Sequence, residues 1–158
     1  MSLTAALLAT SFLFRQDIMY QVNNPVALQV LDVHYGTYAK QYENRWEVEL
    51  TEDEIDLLAK ILHLEAGNQD DAGQQLVVVV ILNRIKDGRF GEGLTGVLSY
   101  PGQFSTWKRR NEAQPTTREY DNILAVLHGD VESWIYNSNY LFFNCVGNGT
   151  KIGGHYFR

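Results

Sequence analysis

Cysteine is almost absent from this chain, since Cys145 is the only one among 158 residues. An internal disulfide framework is therefore excluded, and so is a zinc site built from several cysteines. No two histidines stand at metal-ligand helical spacing, and no Gly-x-Ser-x-Gly nucleophile motif occurs, so metallopeptidase and serine-hydrolase chemistry is disfavoured. We expect no metal ion and no organic cofactor.

Positive charge is also scarce, because the formal net charge is -6. Proteins that track phosphates need a cationic face to displace counterions, so we expect no nucleic-acid partner. The one basic cluster, Lys108–Arg110, has Glu112 beside it and is interpreted as a solvated segment.

Long apolar runs are missing too, as nothing reaches the roughly 18 uninterrupted residues that a membrane helix needs. Residues 3–14 carry no charge and resemble the apolar part of a signal peptide or a weak membrane anchor. Basic residues before this run and a small-residue cleavage site after it are absent, so a core helix is an equal alternative.

The composition that remains is globular, with 45% hydrophobic and 20% charged residues. The length suits one domain with a real core. We assign residues 1–48 to an N-terminal extension, an anchor, signal-like or docking segment, and residues 49–158 to the catalytic domain. The division falls where Thr51–Glu54 has the Ser/Thr-x-x-Glu pattern of a capping box.

Three helices are predicted after this division. The first begins at the capping box and ends at Gly67. Its apolar stripe comprises Ile55, Leu58, Ala59, Leu62 and Ala66. The second covers Leu76–Ile85; its valines would also suit a buried strand, but acidic residues precede it and Gly88 follows. The third runs from a capping box at Thr116–Glu119 to Gly129.

Glycine-rich segments account for most of the rest. Gly88–Ser105 is expected to be an irregular loop, and the Gly-x-Gly-x-x-Gly pattern at Gly91–Gly96 lacks the preceding strand of a dinucleotide site. Tyr140–Cys145 and Ile152–Phe157 flank turn residues at Gly147–Gly149 and predict a β-hairpin. The expected fold class is α+β and mainly helical.

Glu65 is the candidate for chemistry, since it lies at the end of the first helix within the edge of its apolar stripe. Burial there and the negative end of the helix dipole would both favour its protonated form. A protonated carboxylic acid can donate to a glycosidic oxygen. A structural alternative is that Glu65 accepts a hydrogen bond or pairs with Arg84.

Several landmarks in order resemble the SleB-type, spore-cortex-lytic cell-wall hydrolases over residues 57–158. They are LHLEAGNQDDAGQ at Leu62–Gln74, LNR at Leu82–Arg84, PGQFS at Pro101–Ser105 and IGGHYF at Ile152–Phe157. The resemblance implies a compact, lysozyme-like domain that cleaves peptidoglycan between N-acetylmuramic acid and N-acetylglucosamine. It places the key glutamate of the family on Glu65.

The chain departs from this family pattern at two places. Glu-Ala-Arg-Gly-Glu becomes residues 65–69 with Gln69 in place of the second acid, and Ile-Gly-Asn-His becomes Ile-Gly-Gly-His with Gly154 before His155. A lytic transglycosylase uses one carboxylate twice and tolerates the loss. A water-using muramidase would want a second acid, for which Asp70 and Asp71 are the sequence neighbours.

The remaining landmarks predict a groove for glycan strands. The candidate substrate-binding residues are Asn83, Gln103, Phe104, Ser105, Trp107, Tyr140, Asn144 and His155. Their amides and hydroxyl suit acetamido groups, and their rings suit sugar faces; core or loop-tying roles are the alternatives. The leading hypothesis is a lytic transglycosylase, secreted or delivered by a phage, that acts at the wall outside the cytoplasm.

A second class stays open, namely a catalytically degraded wall-binding or virion structural protein of the same fold, which Gln69 and Gly154 motivate. No repeat domain for anchoring to substrate is evident, and the acidic charge would not help the approach to anionic wall polymers. Assembly into a larger complex or phage particle is therefore part of the hypothesis.

Overall fold

A computed structural model describes residues 45–158, which belong to one compact unit. Five α-helices, one 3₁₀ helix and three short strands follow one another along the described chain. They are α1 (Glu52–Ala66), α2 (Asp71–Asp87), α3 (Gly93–Ser99), the 3₁₀ helix (Ser105–Glu112), α4 (Thr117–His128), α5 (Ser133–Tyr136), β1 (Phe143–Asn144), β2 (Thr150–Ile152) and β3 (His155–Phe157). The predicted α+β, mainly helical class is confirmed.

The run of valines forms helix α2, as predicted, and α2 is the centre of the unit. Every residue from Leu76 to Leu82 is fully buried. A helix that is apolar on all sides needs neighbours on all sides, and α2 packs against α1, α3, α4 and α5. The core is therefore built around this helix.

The predicted helix ends of α1 and α4 are confirmed. Thr51 accepts a hydrogen bond from the backbone of Glu54, and the Glu54 side chain accepts one from the backbone of Thr51. Thr116 and Glu119 form the same reciprocal pair at α4. These bonds satisfy backbone donors that the first helical turn leaves open. All five predicted stripe residues of α1 are buried.

The prediction that Gly88–Ser105 is an irregular loop is wrong, because α3 lies inside it. Leu94, Val97 and Leu98 are buried, so the packing energy of three apolar side chains outweighs the poor helix propensity of the glycines. Gly91 and Gly96 touch through their backbones, since a Cβ at Gly91 would lie 2.6 Å from the Gly96 carbonyl carbon. Close packing thus explains this pair of glycines.

The predicted hairpin is only partly right. The three strands form an antiparallel sheet in the order β1-β3-β2, so β1 does pair with β3, with Phe143 opposite Phe157. However, Thr150–Ile152 is an additional strand, and the tight turn lies at Gly153–Gly154 between β2 and β3. The glycines at 147–149 instead belong to the connection from β1 to β2.

Two residues before the predicted domain boundary belong to this unit. Trp46 is 3% exposed and packs edge-on against Tyr136, and the Arg45 backbone N–H donates to the Tyr136 hydroxyl at 3.0 Å. The predicted apolar segment 3–14 and most of the extension lie outside the described residues. Among residues 45–158, no helix has the length and hydropathy to cross a membrane.

Candidate active site

Glu65 lies in the last turn of α1, where its side chain is half-buried. The 3₁₀ helix packs against α1, and the Thr106 hydroxyl donates a hydrogen bond to Glu65 Oε1. No other side chain of the described residues forms a hydrogen bond with this carboxylate. One carboxylate oxygen is therefore oriented by the protein, while the other is left for solvent or a ligand.

Arg84 supplies positive charge that interacts with Glu65. It is 3% exposed on α2, and its Nε donates to the Leu141 carbonyl at 2.7 Å. Its guanidinium also lies over the Phe104 ring, 5.3 Å from the centroid. Burial lowers the pKa of Arg84 to about 10, against the opposing effect of the negative charge of Glu65. Arg84 thus stays a cation at neutral pH.

The Arg84 guanidinium is not fully satisfied, because its buried Nη1 has no hydrogen-bond partner within residues 45–158. The negative charge of Glu65 acts on the Arg84 guanidinium through space. The ion pairs among residues 45–158 do not include a direct pair between these two side chains. An unpartnered buried donor beside a carboxylate is costly for stability. The protein tolerates this cost at Arg84, whose charge interacts with that of Glu65.

His155 lies behind the same carboxylate at the start of β3. It is 3% exposed, packs 5.3 Å from the Phe143 ring centroid, and has no hydrogen-bond partner at Nδ1 among the described residues. Burial lowers the pKa of His155, and the negative charge of Glu65 opposes this effect. His155 is therefore part of the packed interior and does not present a surface for substrate, in contrast to the prediction.

The surroundings of Glu65 differ from the dry, apolar niche that the helix pattern predicts. The stripe of α1 is buried, but Glu65 itself is partly exposed and has a hydroxyl donor in Thr106 and a cation in Arg84. Both groups stabilise a carboxylate.

The segment that carries Thr106 also brings three predicted substrate-binding residues near the site. Ser105 is exposed, and Gln103 is half-buried without a side-chain hydrogen bond to any described residue. Trp107 is half-buried, and the Arg110 guanidinium covers one face of its ring at 4.2 Å from the centroid. A sugar that stacks on Trp107 would therefore have to use the opposite face of its ring.

Two other predicted substrate contacts have structural roles. The Asn83 amide is fully used, since Oδ1 accepts from Arg45 and Trp46 at 2.8 and 2.7 Å and Nδ2 donates to two backbone carbonyls. Asn83 therefore ties the chain before β1 to α2 and has no free group for a sugar. Phe104 is 5% exposed and lies between Arg84 and Phe143.

The last two candidates border the sheet. Tyr140 is half-buried and its ring lies 5.8 Å from that of Phe157, centroid to centroid. Asn144 is half-buried at the end of β1, and its Oδ1 has no hydrogen-bond partner among the described residues. Their contact with substrate remains a prediction.

A cavity of about 460 Å³ lies elsewhere, with Asn83, Lys86 and Leu141 in its wall. Neither Glu65 nor Thr106 lines this cavity. No group of three or more histidine, cysteine or acidic side chains suited to a metal ion occurs in residues 45–158.

Sequence reasoning missed Thr106 and treated Arg84 only as an alternative partner of Glu65. Thr106 directly follows the PGQFS landmark, so its position next to a family motif was the available signal. The contact joins residues 41 positions apart, and no local periodicity could have revealed it.

The fold and the site together define a small, mainly helical α+β domain with an oriented, half-exposed glutamate at a helix end. A sequence model of the cell wall hydrolase family matches residues 68–157, which is more than half of the chain. The chain belongs to the cell wall hydrolase family, whose substrate is peptidoglycan and whose place of action is the wall outside the cytoplasm.

The matched range begins three residues after Glu65, so the family match does not by itself cover that residue. It does include Arg84, Thr106 and His155, the three groups that act on the Glu65 carboxylate. No curated protein and no solved structure matches the chain.

Proposed function

We propose that the chain is a lytic transglycosylase that cleaves the linkage between N-acetylmuramic acid and N-acetylglucosamine, with Glu65 as its single acid and base. The observation that carries this proposal is the position of Glu65, oriented through one oxygen by Thr106 and free at the other. The reaction needs neither a metal ion nor an organic cofactor.

The reaction has two proton transfers. Protonated Glu65 donates to the glycosidic oxygen, the bond from that oxygen to muramic C1 breaks, and N-acetylglucosamine leaves with a free hydroxyl. The Glu65 carboxylate then takes the proton of the muramic C6 hydroxyl, whose oxygen bonds to C1 and closes a 1,6-anhydro ring. No water is consumed, and Glu65 ends protonated for the next cycle.

Thr106 and Arg84 support the second of these steps. The hydroxyl of Thr106 and the positive field of Arg84 stabilise the carboxylate that remains after the first proton transfer. Glycan bound over the half-exposed side chain would displace water from it and favour the protonated form for the first transfer. In this proposal the protonated form of Glu65 is favoured before the first transfer, and the carboxylate is favoured after it.

Among residues 45–158, the partners of the two aspartates that follow Glu65 in the sequence favour this mechanism over water-using hydrolysis. Asp70 caps α2 by accepting from the Gly73 backbone N–H at 2.8 Å. Asp71 pairs with Arg118 at 2.7 Å, and hydrogen bonds from Arg118 and Asn122 lower its pKa. Both aspartates have structural partners, so neither is well placed to activate a water molecule.

The glycan would lie along the segment around Thr106. Ser105 and Gln103 supply groups for acetamido oxygens and nitrogens, and the second face of the Trp107 ring supplies a platform for a sugar ring. A compact, lysozyme-like arrangement of helices around such a groove is part of this proposal. The approach to the wall, by secretion or as part of a phage particle, is proposed with it.

Mass spectrometry of digested peptidoglycan tests the mechanism. A 1,6-anhydro end is lighter than a reducing end by the mass of one water. We expect anhydro-muramic ends from the wild-type chain and none from Glu65→Gln. Reducing ends in place of anhydro ends would show that the chain is a muramidase and not a transglycosylase.

A catalytically degraded wall-binding or virion structural protein is the second candidate, and one observation favours it. Gln69 stands where a second acid would, and an amide has no acid function. Its Oε1 accepts a hydrogen bond from a backbone N–H. Binding to purified sacculi together with a cleared zone in a zymogram supports the enzyme. Binding without clearing establishes the second candidate.

A further inference from the structure

The loop between α1 and α2 meets the turn between β2 and β3 through the side chain of Gln69. Gln69 Oε1 accepts a hydrogen bond from the Gly154 backbone N–H at 2.6 Å. Its Nε2 donates to Asn68 Oδ1 at 2.7 Å, and this second bond sets which end of the amide faces the turn. The contact joins residues 85 positions apart in the chain.

The loop that carries Gln69 is itself held from the opposite side by α4. Arg118 Nη2 donates to the Gln69 carbonyl at 2.7 Å, and Arg118 Nε donates to Asp71 Oδ1 at the same distance. Asn122 adds a bond to Asp71 Oδ1 at 3.1 Å. The turn is therefore tied to a loop that has limited freedom to move.

The turn fits this contact because it has no side chains. A Cβ at Gly154 would lie 2.9 Å from Gln69 Nε2, and a Cβ at Gly153 would lie 2.7 Å from Gln69 Oε1. Gly153 also has a φ of +55°, which favours glycine. A side chain at either position would displace the Gln69 amide and break its bond to the turn.

Both partners are the positions at which the chain departs from the family pattern described above. Gln69 replaces an acid and Gly154 replaces an asparagine. The Gln69 amide occupies the space in which a side chain at position 154 would lie, so one contact links the two departures.

We propose that Gln69 is a positioning residue, and that its bond to Gly154 holds the strand of His155 against the helix end of Glu65. Glu65 lies four residues before Gln69, and His155 directly follows Gly154. Arg118 and Gly154 thus tie Gln69, four residues after the reacting carboxylate, to α4 and to the turn before His155. The effect on catalysis rests on the proposed function, whereas the contact does not.

Hydrogen exchange and thermal unfolding test the contact without any substrate. Gly154 lies at the surface, so we expect its amide to exchange slowly only because of its bond to Gln69, and at least tenfold faster in Gln69→Ala. Gly154→Ala should lower Tm by about 3 °C in the wild-type background and by less than half as much in Gln69→Ala. Equal Tm losses in the two backgrounds, or unchanged exchange, would overturn the proposal.

Kinetics on soluble, uncrosslinked glycan strands test the positioning role. Gln69→Ala should lower kcat about tenfold while KM changes less than twofold, because geometry and not binding is lost. Gln69→Glu, which can still accept the Gly154 N–H, should restore most of kcat. Gln75→Ala is the matched control. The Gln75 amide donates to Asn122 Oδ1 at 2.8 Å, and this bond lies away from the turn.

The outcomes separate the two proposals. Tm coupling together with a normal kcat in Gln69→Ala would overturn the positioning role, leave the contact in place and leave Glu65 as the acid. Tm coupling together with full activity of Glu65→Gln would remove the proposed mechanism and with it the catalytic role of Gln69, while the contact itself would stand.

Discussion

Glu65 and Glu119 are both glutamates that accept a hydrogen bond from a threonine hydroxyl, yet their surroundings differ. Glu119 is 2% exposed, and its two oxygens accept from the Thr116 backbone, the Thr116 hydroxyl, His63 and Gln74. Glu65 is half-exposed and has one such donor among the described residues, the hydroxyl of Thr106.

The difference separates a structural carboxylate from one that is available for chemistry. Burial raises the pKa of Glu119, but the hydrogen bonds from Thr116 and His63 outweigh this effect and leave the pKa below its ordinary value. Glu119 is thus a fixed anion that joins α1, α2 and α4. Glu65, in contrast, has one carboxylate oxygen without a side-chain hydrogen-bond partner among residues 45–158.

Replacing Glu65 gives the largest expected effect. Glu65→Gln keeps the shape and the acceptor for Thr106 but cannot transfer a proton, so we expect activity to fall about 10²–10⁴-fold. Turbidity clearance of purified sacculi measures the loss. The unfolding free energy should change by less than about 1 kcal/mol, because the side chain is half-exposed.

Glu112→Gln is the matched control for this change, since Glu112 is an exposed glutamate of the 3₁₀ helix paired with Arg109. It should retain wild-type activity. Wild-type clearance by Glu65→Gln would show that Glu65 is not the catalytic acid and would contradict the comparison with Glu119.

Replacing Glu119 should produce the opposite pattern, with stability lost and chemistry kept. Glu119→Ala removes the capping box of α4 and the bonds to His63 and Gln74. We expect a loss of about 2–4 kcal/mol in urea unfolding, with activity retained at a temperature where the variant is folded. A stable but inactive Glu119→Ala would place this carboxylate in the reaction.

Replacing Thr106 tests whether orientation of Glu65 matters. Thr106→Val removes the hydroxyl with little change in shape, and we expect kcat to fall about tenfold while Thr106→Ser stays near wild type. Thr95→Val, at an exposed threonine on α3, controls for the substitution itself. Equal activity of Thr106→Val and Thr106→Ser would show that the bond does not orient the acid.

The pH dependence of stability gives the smallest effect. Burial lowers the pKa of His155 in the folded chain below the ordinary 6.5 of the unfolded chain. The unfolded state therefore binds more protons as pH falls from 7.5 to 5.5, and the unfolding free energy should decrease, by no more than about 1.4 kcal/mol per pH unit for one proton. His155→Phe should flatten this slope, and an unchanged slope would contradict the assignment.

Local patterns predicted the three long helices correctly, because their signals lie within a few residues. The capping box at Thr51–Glu54 and the apolar stripe of α1 need only helical spacing to be read. Glu65 was placed at the end of α1 by the same spacing. The valines of α2 were harder to assign, because their composition suited a strand and a helix equally. The charged residues on either side favoured a helix, which is correct.

Local patterns failed where packing or pairing over long sequence distances decides. Helix α3 forms in a glycine-rich segment because Leu94, Val97 and Leu98 pack into the core. The strand partners depend on which backbone segments meet, so the turn moved from Gly147–Gly149 to Gly153–Gly154. Asn83 is polar and looked available, but four protein groups use its amide.

The sequence by itself determined the three long helices, the capped starts of α1 and α4 and the carboxylate at the end of α1, because hydrogen bonds and side chains a few residues apart specify them. Only the tertiary structure decided which groups surround that carboxylate. Thr106 reaches Glu65 across 41 positions and Gln69 reaches Gly154 across 85, and contacts at such separations follow from how the helices pack around α2.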